Sequence, residues 1–595
     1  MRVADYLMNR LHSAGVRQVF LVTGRGALFL TDALARHPEL AAVCTHHEQS
    51  AAFAAIGAAQ ATEGLGACLV STGCAATNAI TGVLSAWQDG VPCVFISGQN
   101  TLAETTRHTG IGLRTYGQQE ADIVALVEPI TKYATMLTRA ADIVPALEKA
   151  ITLATTGRKG PVWLDIPLDL QSAMVPPELA QEVPPPPPAE AAAPAADEVR
   201  AVVEALAAAK RPVVLIGSGV RSAGASDAFA RFVERWRLPV TYAASAPDTY
   251  GSTRPLCVGS IGAMGCSRAG SFAVQNADLV LVLGCRLTSL TTGTEPCKFA
   301  REARVMVVDI DPLEHAKASV TIDRLVVADV AAFLAAADSL PAAPAPATWV
   351  DRCQHWKTRF SPVEAPFTAA DRVDLYVLAE ALSDALPATA TLVTDSGSAE
   401  VILPTNVRFG PGMRCLHPAS QGAMGFALPA AIGACSARPD PTIAVIGDGS
   451  IMMNLQELET LRYRQLPIKI LVINNNAYSI IRRRQQGLFR TRTIGTDPDN
   501  GVSCPDFGQV AACFGLAYRR IDGPGGLADA LRACFAEPGP VLCEIMGRPD
   551  QGYIELGHTR SEITRRVVRR PLEDQAPFID REVFLSEMIV APIDQ

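Results

Sequence analysis

Residues 442–450 read TIAVIGDGS, an apolar run that ends in a tight turn of two glycines around one aspartate. Residues 469–476 read KILVINNN, a second apolar run that ends in three asparagines. A helix-forming window at 455–463 separates the two runs. Strand, helix and strand in this order predict two parallel strands of one α/β sheet. Ligands of such sheets bind beyond the carboxyl ends of the strands, so Asp448 and Asn475 are expected to face the same ligand.

The chemistry of these two strand ends favours a metal-bound phosphate. One carboxylate and one amide offer oxygen ligands only, which suits Mg²⁺ holding a diphosphate. Gly447 and Gly449 let the backbone approach the phosphates closely, and the N-terminus of the following helix adds donors. A Gly-Asp-Gly sequence alone is explained equally well by a tight strand-to-helix turn. Its pairing with asparagines after the next strand favours the ligand site.

Two proline-rich stretches divide the chain of 595 residues. Residues 176–195 contain five consecutive prolines at 184–188, and residues 339–348 repeat the signal. Such stretches form extended spacers between domains. We therefore predict domains at 1–175, 199–338 and 369–560, linkers at 176–198 and 339–368, and a C-terminal tail at 561–595.

Each predicted domain alternates short β-branched runs with alanine-rich helical windows. This alternation is typical of parallel sheets covered by helices on both faces. Strands are predicted at 19–22, 67–70, 93–96, 162–166, 213–216, 279–283, 305–310, 391–394, 443–446, 468–473 and 541–545. The expected fold class is α/β, with three consecutive doubly wound parallel-sheet domains.

The composition indicates a globular protein. Hydrophobic residues make up 49% of the chain and charged residues 19%, which is enough apolar material for several cores. A net charge of −8 without a long basic run argues against nucleic acid or an anionic membrane as a partner. No stretch reaches the roughly 20 apolar residues needed to span a bilayer.

The start of the chain and the cysteines favour a cytoplasmic location. The first residues predict an amphipathic helix with Val3, Leu7 and Leu11 inward, and they lack the apolar core of a signal peptide. The 15 cysteines occur singly inside apolar segments, without a C-x-x-C pair. This pattern is typical of reduced cysteines that serve as small core residues.

Three motifs together resemble those of thiamine-diphosphate-dependent enzymes. The Gly447-Asp448-Gly449 turn and Asn475 resemble the fingerprint of that family, and residues 421–426 (QGAMGF) resemble the cofactor-bending segment of acetolactate synthases. Residues 45–49 (THHEQ) resemble the segment that holds the family's catalytic glutamate. The resemblance covers nearly the whole chain. It implies a pyrimidine-binding, a central and a diphosphate-binding domain, in that order.

The resemblance assigns roles to residues of the first and third domains. It implies Glu48 and Gln119 as catalytic residues, with Glu48 shifting the cofactor's aminopyrimidine to the imino form that deprotonates the thiazolium. Cofactor contacts are implied for Ser398, Ala399, Gly422, Ala423, Met424, Gly447, Asp448, Gly449, Ser450 and Asn475, and Mg²⁺ ligands for Asp448, Asn475 and Ala477. Glu48 is also explained as a carboxylate that complements a helix dipole, and Met424 as a core residue. Since the family's glutamate and metal site meet across two subunits, a homodimer or homotetramer is implied.

The central domain resembles the flavin-binding domain of acetolactate synthases. Implied contacts with FAD, which is structural rather than redox-active in that family, are Arg158, Gly217, Gly219, Met264, Gly284, Arg286 and Asp309. Without the resemblance, Gly217 and Gly219 after an apolar run are explained equally well by a plain tight turn.

Four positions depart from the pattern of acetolactate synthases. Leu-Thr-Ser-Leu follows Arg286 where the family has Phe-Asp-Asp-Arg, so the arginine that grips a 2-keto acid carboxylate is absent. Leu168 replaces a lysine, and Arg484 replaces a tryptophan of the acceptor site. Ser398 and Ala399 replace the Gln-His pair that binds phosphate. The three consecutive arginines that end at Arg484 are explained either as a solvated helix face or as contacts for an anionic acceptor.

The predicted activity is a thiamine-diphosphate-dependent carboligase. It decarboxylates a 2-keto acid, pyruvate by expectation, and transfers the acyl-anion equivalent to a carbonyl acceptor, with an anionic acceptor or nucleotide-bound ketosugar as the resemblance suggests. Two alternatives stay open. One is a decarboxylase or a hydrolase or lyase that cleaves a carbon–carbon bond of a diketone, and the other is a non-catalytic binding or regulatory homologue.

Overall fold

The computed structural model describes residues 1–179, 192–317, 319–368, 371–490, 492–561 and 565–593. The five prolines at 184–188 lie outside the described residues. Three six-stranded sheets follow one another along the chain, and all strand pairs within them are parallel. None of the helices in the described ranges combines the length and the apolar character that a membrane span requires.

The first and third sheets have the same strand order. The first contains β1 (Gln18–Leu21), β2 (Ala41–Cys44), β3 (Gly66–Val70), β4 (Cys93–Gln99), β5 (Ala134–Met136) and β6 (Pro161–Pro167), in the order β2-β1-β3-β4-β6-β5. The second contains β7 (Pro212–Ile216), β8 (Val240–Tyr242), β9 (Cys257–Ser260), β10 (Leu279–Leu283), β11 (Arg304–Asp309) and β12 (Arg324–Val327), in the order β12-β11-β10-β7-β8-β9. The third contains β13 (Thr391–Thr394), β14 (Arg414–Leu416), β15 (Thr442–Gly447), β16 (Lys469–Asn474), β17 (Ala517–Ile521) and β18 (Val541–Met546), in the order β14-β13-β15-β16-β18-β17. A short antiparallel pair, β19 (His558–Arg560) and β20 (Val567–Arg569), follows.

Helices connect the strands and cover both faces of each sheet. Around the first sheet they are Val3–Ser13, Leu28–Arg36, Glu48–Thr62, Cys74–Asn78, Ile80–Asp89, Thr106–Thr109, Ile123–Val127, Ile143–Thr155 and Leu168–Ser172. Around the second they are Ala196–Ala208, Gly219–Ser222, Ser226–Trp236, Arg268–Gln275, Ser289–Thr292, Val330–Asp338 and Ala347–Arg359. The third has Ala365–Thr368, Leu375–Ala385, Ser398–Asn406, Ala427–Ala437, Glu457–Tyr463, Ser479–Phe489, Phe507–Cys513 and Leu527–Ala536, and Arg581–Glu587 follows. The doubly wound α/β prediction is confirmed, and so is the amphipathic first helix, whose Val3, Leu7 and Leu11 are buried.

One hydrophobic core is shared by the first and third sheets. Alternate residues of β3 point to opposite faces, so Cys68 and Leu69 lie in different apolar clusters. The cluster around Cys68 continues through the helix Glu48–Thr62 into the helix Ala427–Ala437 and the third sheet. This shared core positions the N-terminus of the helix Glu48–Thr62 relative to the third sheet.

The stretch predicted as a linker at 339–368 is not extended throughout. The helix Ala347–Arg359 begins after Pro346, and its Trp349 and Trp356 are buried against the core of the second sheet. The indole of Trp356 also donates a hydrogen bond of 3.0 Å to Glu587. Residues 341–346 form neither helix nor strand, whereas the two tryptophans bury apolar surface that a spacer would leave exposed.

Candidate active site

A cavity of about 410 Å³ lies beyond the carboxyl ends of β13, β15 and β16. Ten of the predicted cofactor and metal residues line it: Ser398, Ala399, Gly422, Met424, Gly447, Asp448, Gly449, Ser450, Asn475 and Ala477. Ala423 is not among the lining residues and packs against the core shared by the first and third sheets. The structure therefore brings together the two strand ends that the sequence places at one edge of the sheet.

The carboxylate of Asp448 is fixed by three backbone N–H groups. Its oxygens accept hydrogen bonds from Gly449 at 2.7 Å, from Asn475 at 3.0 Å and from Asn476 at 2.5 Å. Asp448 is buried, and burial raises the pKa of this carboxyl above its ordinary range. The side-chain oxygen of Asn475 accepts the N–H of Ala477 at 3.1 Å. A buried carboxylate beside a fixed amide oxygen is a donor set that fits Mg²⁺.

A second buried aspartate, Asp395, organises the cavity wall and was missed by the sequence reasoning. It follows β13 as Asp448 follows β15, and its carboxylate accepts the N–H groups of Gly425 at 3.1 Å and Ala427 at 2.7 Å. The hydroxyl of Ser450 also donates to it. Burial raises the pKa of Asp395 to about 6. These contacts fix the backbone that follows Met424.

The helix Ser398–Asn406 points its N-terminus into the cavity. Gly397 precedes it with φ of 91°, a conformation that favours glycine. The hydroxyl of Ser398 lies 2.7 Å from the hydroxyl of Tyr553 and 3.2 Å from that of Ser479. Free N–H groups at a helix start together with a fixed hydroxyl form a site for phosphate oxygens.

Glu48 and Gln119 do not line this cavity in the single chain. Glu48 is half-buried in the first turn of the helix Glu48–Thr62, where the side chain of Asn78 donates to its carboxylate at 2.9 Å. His47 caps that helix by accepting the N–H of Gln49 at 3.1 Å. Gln119 has φ of 61° and borders a small cleft beside Arg25 and Leu168.

A second cavity, of about 870 Å³, lies at the carboxyl ends of the second sheet. Of the predicted FAD contacts, Arg158, Gly219, Gly284, Arg286 and Asp309 line it, whereas Gly217 and Met264 do not. A Cβ on Gly217 would lie 2.3 Å from the carbonyl oxygen of Gly284, so Gly217 serves the packing of two strand ends. Met264 instead pairs with the backbone of Glu555.

Arginines of the second cavity are held by acidic side chains. Arg158 donates to Asp311 and Glu314, both at 2.7 Å, and Arg286 donates to Glu314 at 3.0 Å. Burial opposes the charge of Glu314, but these arginines and Lys317 outweigh it and lower its pKa to about 2. The strand order of this sheet, with its reversal between β7 and β10, is that of dinucleotide-binding folds, whose ligands occupy this crevice.

The three arginines of the helix Ser479–Phe489 have different surroundings. Arg482 pairs with Asp550 at 2.7 Å, and Arg483 pairs with Glu555 at 2.6 Å. Arg484 is exposed, and within the described part of the chain it has no hydrogen-bond or ion-pair partner. The first residues of this helix line the cavity of Asp448, so Arg484 stands on the helix that forms one side of it.

Family models match all three parts of the chain. They are described as the N-terminal TPP binding domain, the central domain and the C-terminal TPP binding domain of thiamine pyrophosphate enzymes, and they match residues 1–126, 199–337 and 395–545. The chain belongs to the thiamine pyrophosphate enzyme family.

Similar proteins extend over most of the chain. The acetolactate synthase large subunit of Parasynechococcus marenigrum (strain WH8102) is 33% identical, covering 91% of this chain and 87% of its own length. The acetolactate synthase isozyme 2 large subunit of Escherichia coli (strain K12) is 32% identical over 92% of this chain and 95% of its own. A probable chloroplastic acetolactate synthase 2 of Oryza sativa subsp. japonica is 31% identical over 91% and 82%. These similarities agree with the family that the sequence motifs resemble.

Proposed function

We propose that this chain is a thiamine-diphosphate-dependent carboligase that decarboxylates a 2-keto acid, with pyruvate as the donor, and transfers the acyl unit to a carbonyl acceptor. The observation that carries the proposal is the cavity in which Asp448, Asn475 and the helix N-terminus at Ser398 face one another. The similar acetolactate synthases support this reaction class.

The cofactor, when bound, supplies a nucleophilic thiazolium carbon that can carry an acyl-anion equivalent. Asp448 and Asn475, with the backbone of Ala477, would hold Mg²⁺, and Gly449 and Ser398 would bind the diphosphate. Met424 lines the cavity, where it would press the cofactor into a bent shape. Glu48 would hold a proton at its carboxyl oxygen beside the aminopyrimidine.

The catalytic site is proposed to form between two copies of the chain. Support comes from Glu48, which is half-buried and lies outside the cavity of its own chain. Large apolar side chains are exposed near Gln119, such as Tyr116 at 56%, and at the end of the helix Ser479–Phe489, where Leu488 is 74% exposed. A second copy that covers both patches would complete the site. We propose a homodimer as the smallest active unit, with a homotetramer as a further assembly.

A complementation experiment tests the shared site. Glu48→Gln and Asp448→Ala are expected to be inactive alone, because each damages every site. Co-expressed with different purification tags and isolated as the mixed dimer, they should regain activity, since one of the two sites then contains neither substitution. A mixed dimer as inactive as its parents would contradict a site built from two chains.

The departures from the acetolactate synthase pattern at Leu168 and Arg484 lead us to propose a different acceptor. Arg484 lacks a partner in the described residues and would bind a phosphate or carboxylate of the acceptor. Arg25 borders the cleft of Gln119 and Leu168 and would bind the carboxylate of the 2-keto acid.

FAD is proposed for the second cavity as a structural ligand, supported by the dinucleotide strand order and by Asp309 at the end of β11.

Labelled pyruvate tests the proposed reaction. Incubation of the holoenzyme with ¹³C-pyruvate and a pool of carbonyl metabolites should release labelled carbon dioxide and add an acetyl mass to one metabolite. Carbon dioxide with free aldehyde alone would indicate a decarboxylase. No carbon dioxide would contradict pyruvate as the donor and would leave the diketone hydrolase or lyase and the non-catalytic homologue as the alternatives. The 15 cysteines, all of which are free and described, support the expected reducing, cytoplasmic location.

A further inference from the structure

A single segment, residues 417–424, separates the two cavities. His417, Ala419 and Ser420 line the large cavity of the second sheet, whereas Gly422 and Met424 line the cavity of Asp448. The two cavities are therefore neighbours that share this segment as part of their walls.

Glu400 and His417 form a polar pair across the wall. Glu400 lies in the first turn of the helix Ser398–Asn406 and lines the cavity of Asp448, near the backbone of Gly422. His417 is buried, and its Nε2 lies 2.9 Å from the carbonyl oxygen of Ala244, to which it donates. That bond leaves Nδ1, which has no hydrogen-bond partner among the residues that the structure describes and lies 3.9 Å from a carboxylate oxygen of Glu400.

The charges around His417 favour its protonated form. Burial acts to lower the pKa of His417, but Glu400, Asp89 and the Ala244 carbonyl outweigh it, and the pKa stands above its ordinary value. Asp89 faces the same imidazole and accepts the N–H of Ser420 at 2.9 Å, and burial raises its pKa to about 6. Arg286 approaches from the second sheet, donating to the hydroxyl of Ser420 at 3.0 Å.

The charge of Glu400 matters because of what its cavity is proposed to hold. A carboxylate without a compensating cation in a cavity that accepts a diphosphate would repel the ligand. Asp448 has Mg²⁺ as its proposed partner, whereas Glu400 has only His417 at ion-pair distance in the described residues. His417 therefore decides whether the charge of Glu400 is compensated or uncompensated in this cavity.

We propose that His417 is a positioning residue that neutralises Glu400 and thereby sets the affinity of the adjacent cavity for thiamine diphosphate. The proposal rests on the proposed function, because it needs a diphosphate ligand in that cavity. It makes binding depend on pH: the pKa of His417 stands above its ordinary value, and as the pH rises through that pKa the imidazolium is lost and affinity falls. Without Glu400, His417 has no carboxylate of that cavity to neutralise, so its charge should affect binding little.

Four proteins test the pair: wild type, His417→Gln, Glu400→Gln and the double variant. Thiamine diphosphate with Mg²⁺ is titrated into each apoprotein by calorimetry at about pH 7 and pH 8.5, and His12→Gln, a histidine remote from both cavities, is the matched control. At pH 7 His417→Gln should weaken binding on the order of 10-fold, the cost of one uncompensated charge nearby. Glu400→Gln and the double variant should bind like wild type, so the second substitution rescues the first. Restored binding in the double variant would show that His417→Gln acts through the charge of Glu400 and not through a change of structure.

The pH series supplies the second criterion. The wild type should lose affinity relative to Glu400→Gln between pH 7 and 8.5, whereas the ligand's own titration affects all four proteins equally. If His417→Gln fails to fold, this comparison of wild type with Glu400→Gln still tests the role of the pair. Equal affinity in all four proteins, or no rescue in the double variant, would overturn the pair's role alone. No binding to the wild type at either pH would overturn the proposed function and this inference with it.

Discussion

Gly57 and Ala430 are in backbone contact: a Cβ added to Gly57 would lie 2.1 Å from the carbonyl oxygen of Ala430. The contact is reciprocal, since a Cβ on Gly433 would lie 1.9 Å from the carbonyl oxygen of Ala54. The helices Glu48–Thr62 and Ala427–Ala437 thus meet without intervening side chains. The first helix starts at Glu48 and the second shortly after Met424, so this contact sets where both residues stand.

Substitution of Gly433 by alanine should loosen this contact. The added methyl group must push the two helices apart, at a cost of about 1–3 kcal/mol. We expect Gly433→Ala to lower the midpoint of thermal unfolding and to weaken thiamine diphosphate binding. Gly525→Ala is the control, because a Cβ there meets nothing within 4 Å. Equal unfolding midpoints of the Gly433 and Gly525 variants would show that the helices adjust freely.

Glu48→Gln should slow turnover by about two to four orders of magnitude, the usual scale of acid–base assistance. Its side chain lies outside the cavity of Asp448, so diphosphate binding should persist. Hydrogen–deuterium exchange at the thiazolium carbon, followed by NMR with the bound cofactor, measures the step directly. Glu39→Gln, at an exposed position, is the control. Near-normal exchange in Glu48→Gln would remove the proposed role.

Asp448→Ala should abolish the Mg²⁺-dependent retention of thiamine diphosphate. The substitution removes the carboxylate that is proposed to hold the cation and frees the N–H groups of Gly449, Asn475 and Asn476. Calorimetric titration with and without Mg²⁺ measures the loss, and the exposed Asp529→Ala is the control. Unchanged affinity would place the metal elsewhere.

Every edge strand of the three sheets was missed by the sequence reasoning. The missed edges are β2, β5, β9, β12, β14 and β17, and the seventh missed strand, β8, lies next to β9. Central strands are buried on both faces and read as continuous apolar runs, which the sequence reveals. The edge strands are only three to five residues long, and several are partly exposed, as in β17, where Tyr518, Arg519 and Arg520 face solvent. Such strands contain no continuous apolar run by which the sequence could reveal them.

The same difference separates the predicted from the unpredicted parts of the site. Gly447, Asp448 and Asn475 follow recognisable strands, so their meeting was predictable from parallel topology. Glu400 and His417 come from a helix and from the end of the missed strand β14, and only the folded chain brings them together. The resemblance implied cofactor contacts for Ala423, Gly217 and Met264, and these contacts stay predictions. In the structure Gly217 packs two strand ends, and the other two are half-buried against apolar clusters.

Asp165 should make stability depend on pH. Burial raises its pKa to about 7 from 3.8, although Ser97 donates to its carboxylate at 2.6 Å. The native state then holds the proton more tightly than the unfolded chain, so its contribution is lost as the pH rises from about 4 to 7. Asp165→Asn should raise the unfolding midpoint by several degrees at about pH 8 and little at about pH 4. The exposed Asp529→Asn should leave this pH profile unchanged, whereas parallel profiles for Asp165→Asn and wild type would contradict the shift.

Arg484→Ala should change acceptor use and leave donor chemistry intact. Arg484 lies on the helix whose first turn lines the cavity. Its side chain has no hydrogen-bond or ion-pair partner in the described residues, so the substitution removes no such contact within them. One charge-assisted contact with an anionic acceptor is worth about 1.5–3 kcal/mol, so kcat/KM for that acceptor should fall roughly 10- to 150-fold. Carbon dioxide release from the donor alone should survive, and the exposed Arg519→Ala should change neither rate. A loss of both half-reactions would make Arg484 a support of the fold or cofactor, and no change in either would leave it a solvated side chain.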